Sequence, residues 1–167
     1  MNGWKRLRNR LGSGYHMGDM SMSETTGGCL CGTVRYAITG APLSVIYCHC
    51  ESCRKHAGAP VVALAGYRRD QLRYTAGAPQ VYASSAGVGR ASCKACGTPL
   101  TWEGDGGEIG PMVEMLVGTL DRPEDFAPSC HIHYAERLTW FDVADDLPRY
   151  SKWHDDGEAP ACHGPAR

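Results

Sequence analysis

The sequence predicts a mainly β domain of short strands, held together by metal-binding turns. Three observations predict it. Glycine occurs 21 times and proline ten times in 167 residues, a balance that favours many turns and short strands over long helices. Apolar residues alternate with polar or small ones over short runs, the period of a half-buried strand. Seven of the nine cysteines fall into three tight clusters, spaced C-x-C, C-x-C-x-x-C and C-x-x-C. At 18.1 kDa the chain suits one domain with a real core.

Taken in order, residues 1–26 read as a disordered leader. Lys5, Arg6, Arg8 and Arg10 beside Trp4, Leu7 and Leu11 make a small basic run. A surface-binding arm is one reading of it. The preferred reading is an appended tag or an upstream start ahead of Met17, Met20 or Met22. The domain is expected over 27–153. Residues 33–39 place Val34, Tyr36 and Ile38 on one face of a strand, and Gly40-Ala41-Pro42 ends it. Residues 43–47 predict a second strand running into Cys48. After Cys53, residues 54–58 predict a turn or one helical turn, stopped by Gly58 and Pro60. Buried or short strands follow at 61–67, 72–74 and 80–83, and Cys96-Gly97 reads as a tight knuckle. Residues 112–119 predict a strand with Val113, Met115 and Val117 on one face. Residues 120–125 form a polar turn, 131–134 and 138–141 are strand-like with a curl at 134–138, and 154–167 is a flexible tail.

A net charge of −1 and a pI of about 6.6 argue against nucleic acid or an acidic membrane as partner. No apolar run reaches the length of a membrane span, and residues 1–28 lack the apolar region of a secretory signal. Nine cysteines under those conditions read as metal ligands in a reducing compartment rather than as bridges, so a cytoplasmic location is expected.

Thiolates two or three positions apart can point at one ion, and zinc suits a sulfur-rich tetrahedral set. Seven clustered thiols divide as four plus three. Cys29, Cys31, Cys93 and Cys96 would make a closed structural site, and Cys48, Cys50 and Cys53 a three-ligand site with one position open. Pairing Cys29/Cys31 with Cys48/Cys50 is an alternative, but it strands Cys53. Two zinc ions per chain are expected.

The stretches Gly28-Cys29-Leu30-Cys31-Gly32, Cys48-His49-Cys50-Glu51-Ser52-Cys53-Arg54 and Cys93-Lys94-Ala95-Cys96-Gly97 resemble the glutathione-dependent formaldehyde-activating enzyme and centromere protein V family. Gly118-Thr119-Leu120-Asp121, Pro128 with His131-Ile132, Trp140 and Leu147-Pro148-Arg149-Tyr150 are similar to its later motifs, so the resemblance covers about residues 27–153. It implies a zinc-binding β-tent fold of coiled antiparallel sheets. It also implies a structural zinc on Cys29, Cys31, Cys93 and Cys96, and a catalytic zinc on Cys48, Cys50 and Cys53. The implied activity is that of a carbon–sulfur lyase, joining glutathione to formaldehyde or cleaving S-hydroxymethylglutathione.

Three thiolates on Zn²⁺ polarise a carbonyl poorly but suit a fourth sulfur, because a coordinated thiol is deprotonated at neutral pH. The expected partners are therefore a small thiol such as glutathione and an aldehyde. His49, Glu51 and His56 are the nearest proton donors in sequence, with His49 and His56 weighed against a solvent-facing or supporting role. His131 and His133, two apart on a possible strand, are candidates to share one side of the site. Arg54 and Lys55 read as solvated charges. Cys130 is a possible fourth ligand and Cys162 incidental. The rival function is a non-catalytic zinc module that binds a protein, or a lyase for another thiol or aldehyde.

Overall fold

The computed structural model describes residues 24–153. The basic run, most of the expected leader, the tail and Cys162 lie outside the described residues. Ten strands form two sheets: β1 (Glu24–Gly28), β2 (Arg35–Thr39), β3 (Ser44–Cys48), β4 (Val62–Arg68), β5 (Leu72–Ala76), β6 (Gln80–Ser85), β7 (Val88–Ser92), β8 (Pro99–Asp105), β9 (Pro111–Leu116) and β10 (His131–Ile132). The three-stranded sheet runs β1-β2-β5, and the seven-stranded sheet runs β10-β3-β4-β9-β8-β7-β6. Pairing is antiparallel throughout except for β10, which lies parallel to β3. The only α-helix among the described residues is α1 (Glu51–Ala57). None of their helices is long and apolar enough to cross a membrane.

The sequence pattern explains the layering. Val34, Tyr36 and Ile38 are buried as the alternation predicts, and they pack with Ala65, Tyr67, Val113, Met115 and Val117 between the two sheets. Fully burying a side chain such as Ile38 or Met115 stabilises by about 1.5–3 kcal/mol. On β4 the neighbouring positions Val62 and Leu64 face the opposite side, where Ile46, Leu116 and Ile132 form a second cluster. The larger sheet is therefore covered on both faces. Each face also carries one set of cysteines: Cys29 and Cys93 belong to the first cluster, Cys48 and Cys53 to the second.

Some expected elements moved. The first strand begins at Glu24, inside the stretch read as leader, and Thr26 hydrogen-bonds Asp121 across the sheet edge. Helix α1 starts at Glu51 rather than after Cys53, because Cys50 acts as its N-cap and accepts the Cys53 N–H. It ends where Gly58 takes a left-handed φ of 63°. Strands β7 and β8 flank the second cysteine pair, where no strand was expected. Val88-Gly89-Arg90-Ala91-Ser92 and Pro99-Leu100-Thr101-Trp102 lack strict alternation, and cross-strand pairing supplies what local pattern does not. Residues 138–141 form a turn, not a strand.

Candidate functional site

The first cysteine set forms where two loops meet, β1–β2 carrying Cys29 and Cys31, β7–β8 carrying Cys93 and Cys96. Both loops are knuckles of the same design. The Gly32 N–H bonds the Cys29 carbonyl at 3.0 Å, and the Gly97 N–H bonds the Cys93 carbonyl at 2.8 Å. Both glycines sit at φ 75°, a region that residues with a Cβ enter at a cost. The four sulfurs lie within 4.8 Å of one another, with Cys29–Cys31 at 3.5 Å and Cys31–Cys93 at 3.8 Å. A tetrahedral ion with metal–sulfur bonds of about 2.3 Å spaces its sulfurs about 3.8 Å apart. The set can hold such an ion.

Hydrogen bonds complete this cluster. The Val34 N–H donates to Cys29 Sγ at 3.2 Å. Thr98 Oγ1 accepts the Leu30 N–H at 3.1 Å, which frees its own proton for Cys96 Sγ, also at 3.1 Å. That hydroxyl, together with backbone N–H groups, pulls the Cys96 thiol down to about 5.

The second set is local. Cys48 ends β3, Cys50 caps α1 and Cys53 lies in its first turn. Their sulfurs also lie within 4.8 Å of one another, and Cys50 Sγ accepts the Cys53 N–H at 3.3 Å. Three crowded thiols titrate as one unit. Hydrogen bonds from Cys48 and Cys53 draw the Cys50 sulfur far below the usual thiol range, while the same contact with Cys50 pushes Cys48 far above it. Three converging sulfurs make a donor set that suits a soft cation. From β7, Arg90 brings Nη1 to 3.6 Å from Cys53 Sγ.

The seven clustered thiols therefore group as four and three, on opposite faces of the larger sheet. The alternative pairing of Cys29/Cys31 with Cys48/Cys50 does not occur. Cys130 is fully buried in the cluster that contains Cys48 and Cys53, but it is disulfide-bonded rather than a free thiol and is not in the convergent set. It does not join the trio.

The histidines correct the sequence reading. His49 is wholly buried, not solvent-facing. Its Nε2 lies 2.8 Å from His131 Nδ1, and His131 Nε2 lies 3.1 Å from both Asp145 carboxylate oxygens. Burial, followed by the His131 charge, pushes His49 down to about 4, so its ring is neutral near pH 7. With His131 Nε2–H directed at Asp145, the rest of the network is assigned from its contacts. Asp145 accepts from His131 Nε2–H, His131 Nδ1 accepts from His49 Nε2–H, and His49 Nδ1 keeps a bare lone pair. His131 and His133 do not share a side, because β10 stops at Ile132 and His133 turns to a left-handed φ of 52°. His133 instead meets Glu136 at 2.9 Å.

The charges near the trio divide by role. Glu51 and Lys55 pair on the surface at 2.6 Å, as an exposed i,i+4 couple. Arg54 is not merely solvated: its Nε donates to the His49 carbonyl at 3.0 Å and its Nη2 to the Glu136 carbonyl at 3.2 Å. This clamps the chain between Cys48 and Cys50. His56 is partly buried, with Nε2 unpartnered. Sequence reasoning missed Arg90, Glu114 and Asp145. No local motif marks them, and only strand register or a distant loop brings them near the trio.

Fold and site together define a mainly β domain with two sulfur-rich sites, each able to hold a metal ion. The sequence model of the glutathione-dependent formaldehyde-activating enzymes matches residues 24–136, and the chain belongs to that family. Among solved structures, a crystal structure of a Rhodobacter sphaeroides protein is similar at 17% identity and a TM-score of 0.47, covering 75% of this chain and 98% of that one. No curated protein matches.

Proposed function

We propose that the protein is a zinc-dependent carbon–sulfur lyase that makes or cleaves thiol–aldehyde adducts, with S-hydroxymethylglutathione as the reference substrate. The observation that carries this reading is the contrast between the two cysteine sets. Cys29, Cys31, Cys93 and Cys96 supply four converging sulfurs, the complement of a closed structural zinc. Cys48, Cys50 and Cys53 supply three among the described residues, the count of a catalytic site. Membership of the family supports the same chemistry.

Cys48, Cys50 and Cys53 would hold the zinc ion, which when bound would supply a Lewis acid suited to a thiol as its thiolate. The chain's own groups keep that site in shape. The hydrogen bond to Cys53 N–H fixes Cys50, Arg90 offsets the charge on Cys53, and Arg54 with the His49–His131–Asp145 series holds the Cys48–Cys50 turn. The overall reaction breaks the C–S bond of R–S–CH₂–OH to give a thiol and formaldehyde, or forms it in reverse.

The test is a panel of thiols against aldehydes on the zinc-loaded protein, following adduct formation and loss. Turnover that disappears in Cys50→Ser, with that variant still folded, supports the proposal. Absence of turnover with every pair, on protein holding both ions, refutes it and favours a binding module.

A further inference from the structure

The face of the larger sheet that carries the trio also carries polar groups that nothing satisfies. Register sets Arg90, Trp102, Glu114 and Gly66 in one row across β7, β8, β9 and β4. Glu114 shares its side of β9 with Leu116, which packs in the cluster containing Cys48 and Cys53. Trp102 does not stand between its neighbours. Its ring folds along its own strand over Gly104, where an added Cβ would strike the ring carbons at 2.5–2.6 Å.

Arg90 and Glu114 are only 8% and 6% exposed, and no hydrogen bond or ion pair joins them. The Glu114 carboxyl has no hydrogen-bond partner among the described residues, and Arg90 Nε has none either. His56, one helical turn after Cys53, adds a buried Nε2 without a partner. Arg90 links the other two: its Nη1 lies 3.6 Å from Cys53 Sγ, on the helix that carries His56, and register sets it in the row of Glu114. Arg90 acts on both His56 and Glu114, and Glu114 also senses Cys50. Buried polar atoms of this kind persist where a ligand or an ordered water completes them.

We propose that Arg90, His56 and Glu114 form the subsite for the hydroxyl oxygen of a thiol–aldehyde adduct, beside the Cys48, Cys50 and Cys53 sulfurs. The inference rests on the lyase reading above. A hydroxyl group needs donors for its lone pairs and an acceptor for its proton. Arg90 Nε–H and His56 Nε2–H donate to the oxygen, and the Glu114 carboxylate accepts the O–H. On cleavage that proton passes to Glu114, the O–H electron pair becomes the second C=O bond, and the C–S pair leaves with sulfur. In the direction of synthesis, protonated Glu114 returns the proton to the oxygen as the C–S bond forms. Glu114 is then a catalytic residue and Arg90 an oxygen-binding one.

The experiment uses the full chain loaded with cobalt in place of zinc and titrates two small thiols, 2-mercaptoethanol and ethanethiol, by the cobalt absorption. The wild type is expected to bind the hydroxyl-bearing thiol about tenfold more tightly, the worth of one charge-assisted hydrogen bond. Glu114→Leu, which replaces an unpaired buried acid by an apolar side chain, is expected to bind both thiols alike. Glu114→Gln keeps an acceptor and is expected to retain part of the preference. Equal binding by the wild type overturns the subsite and leaves the lyase reading intact, the result if only water occupies these atoms. A preference that survives Glu114→Leu also overturns it. If neither thiol moves the spectrum, the lyase reading falls and the subsite with it.

Discussion

Replacing Cys96 by serine asks whether the four-sulfur set braces the fold. Cys31 and Cys93, whose sulfurs nearly touch, are 62 residues apart in the chain. Treated as a cross-link, closure of a loop that long removes about 4 kcal/mol of unfolded-state entropy at 25 °C. The trio spans six residues, from Cys48 to Cys53, and the same relation gives about 2 kcal/mol there. A domain of this kind is stable by about 5–15 kcal/mol, so the distant set carries a large share and the local set a small one. Urea unfolding followed by far-UV circular dichroism, with metal content measured on the same samples, compares wild type, Cys96→Ser and Cys50→Ser. Cys96→Ser is expected to lose one metal equivalent and to unfold at much lower urea, or to be recovered insoluble. Cys50→Ser is expected to lose one equivalent and remain folded. The reasoning is refuted if Cys50→Ser costs more than Cys96→Ser, or if Cys96→Ser keeps both equivalents.

Other outcomes follow from the same contacts. Burial, aided by the Cys50 charge, pushes the Glu114 carboxyl up to about 7. A folded-state value above the unfolded one gives stability that is complete below about pH 4.5 and lost as pH rises through 7. Glu114→Gln should therefore match wild type near pH 4.5 and exceed it by about 3 kcal/mol above pH 7, read as urea midpoints across pH. His131→Phe leaves the buried His49 Nε2–H without its partner, although Asp145 keeps Arg149 and the Leu147 N–H, and should cost about 1–3 kcal/mol, while metal analysis shows the four-sulfur site still filled. Gly97→Ala, at φ 75°, should cost about 1 kcal/mol by strain alone, and retained metal would separate that from lost ligation. Glu51→Gln, which breaks only the exposed pair with Lys55, should change stability by less than about 0.5 kcal/mol in thermal unfolding.

Cysteine spacing and local alternation made most of the fold legible. Cys-x-Cys and Cys-x-x-Cys spacing turns neighbouring sulfurs toward one point, so the tight clusters were readable, as was the buried face of Val34, Tyr36 and Ile38. Strands β7 and β8 were not. Gly89 and Pro99 break their pattern, and their stability comes from neighbours supplied by the sheet. His49 illustrates the other limit. Flanked by Cys48 and Cys50 it reads as a loop residue, yet His131, 82 positions later, draws it into the interior. Arg90 and Glu114 lie far from any motif, and no rule of sequence distance puts them beside Cys53 and Cys50.

Strand β7 has two duties. It carries Arg90, whose guanidinium rests against Cys53, and three residues later it delivers Cys93 to the opposite face of the sheet. A chelator that strips the distant knuckles would thus slacken the strand on which the other centre leans. An ion lost from either set would be felt at the other through that one strand.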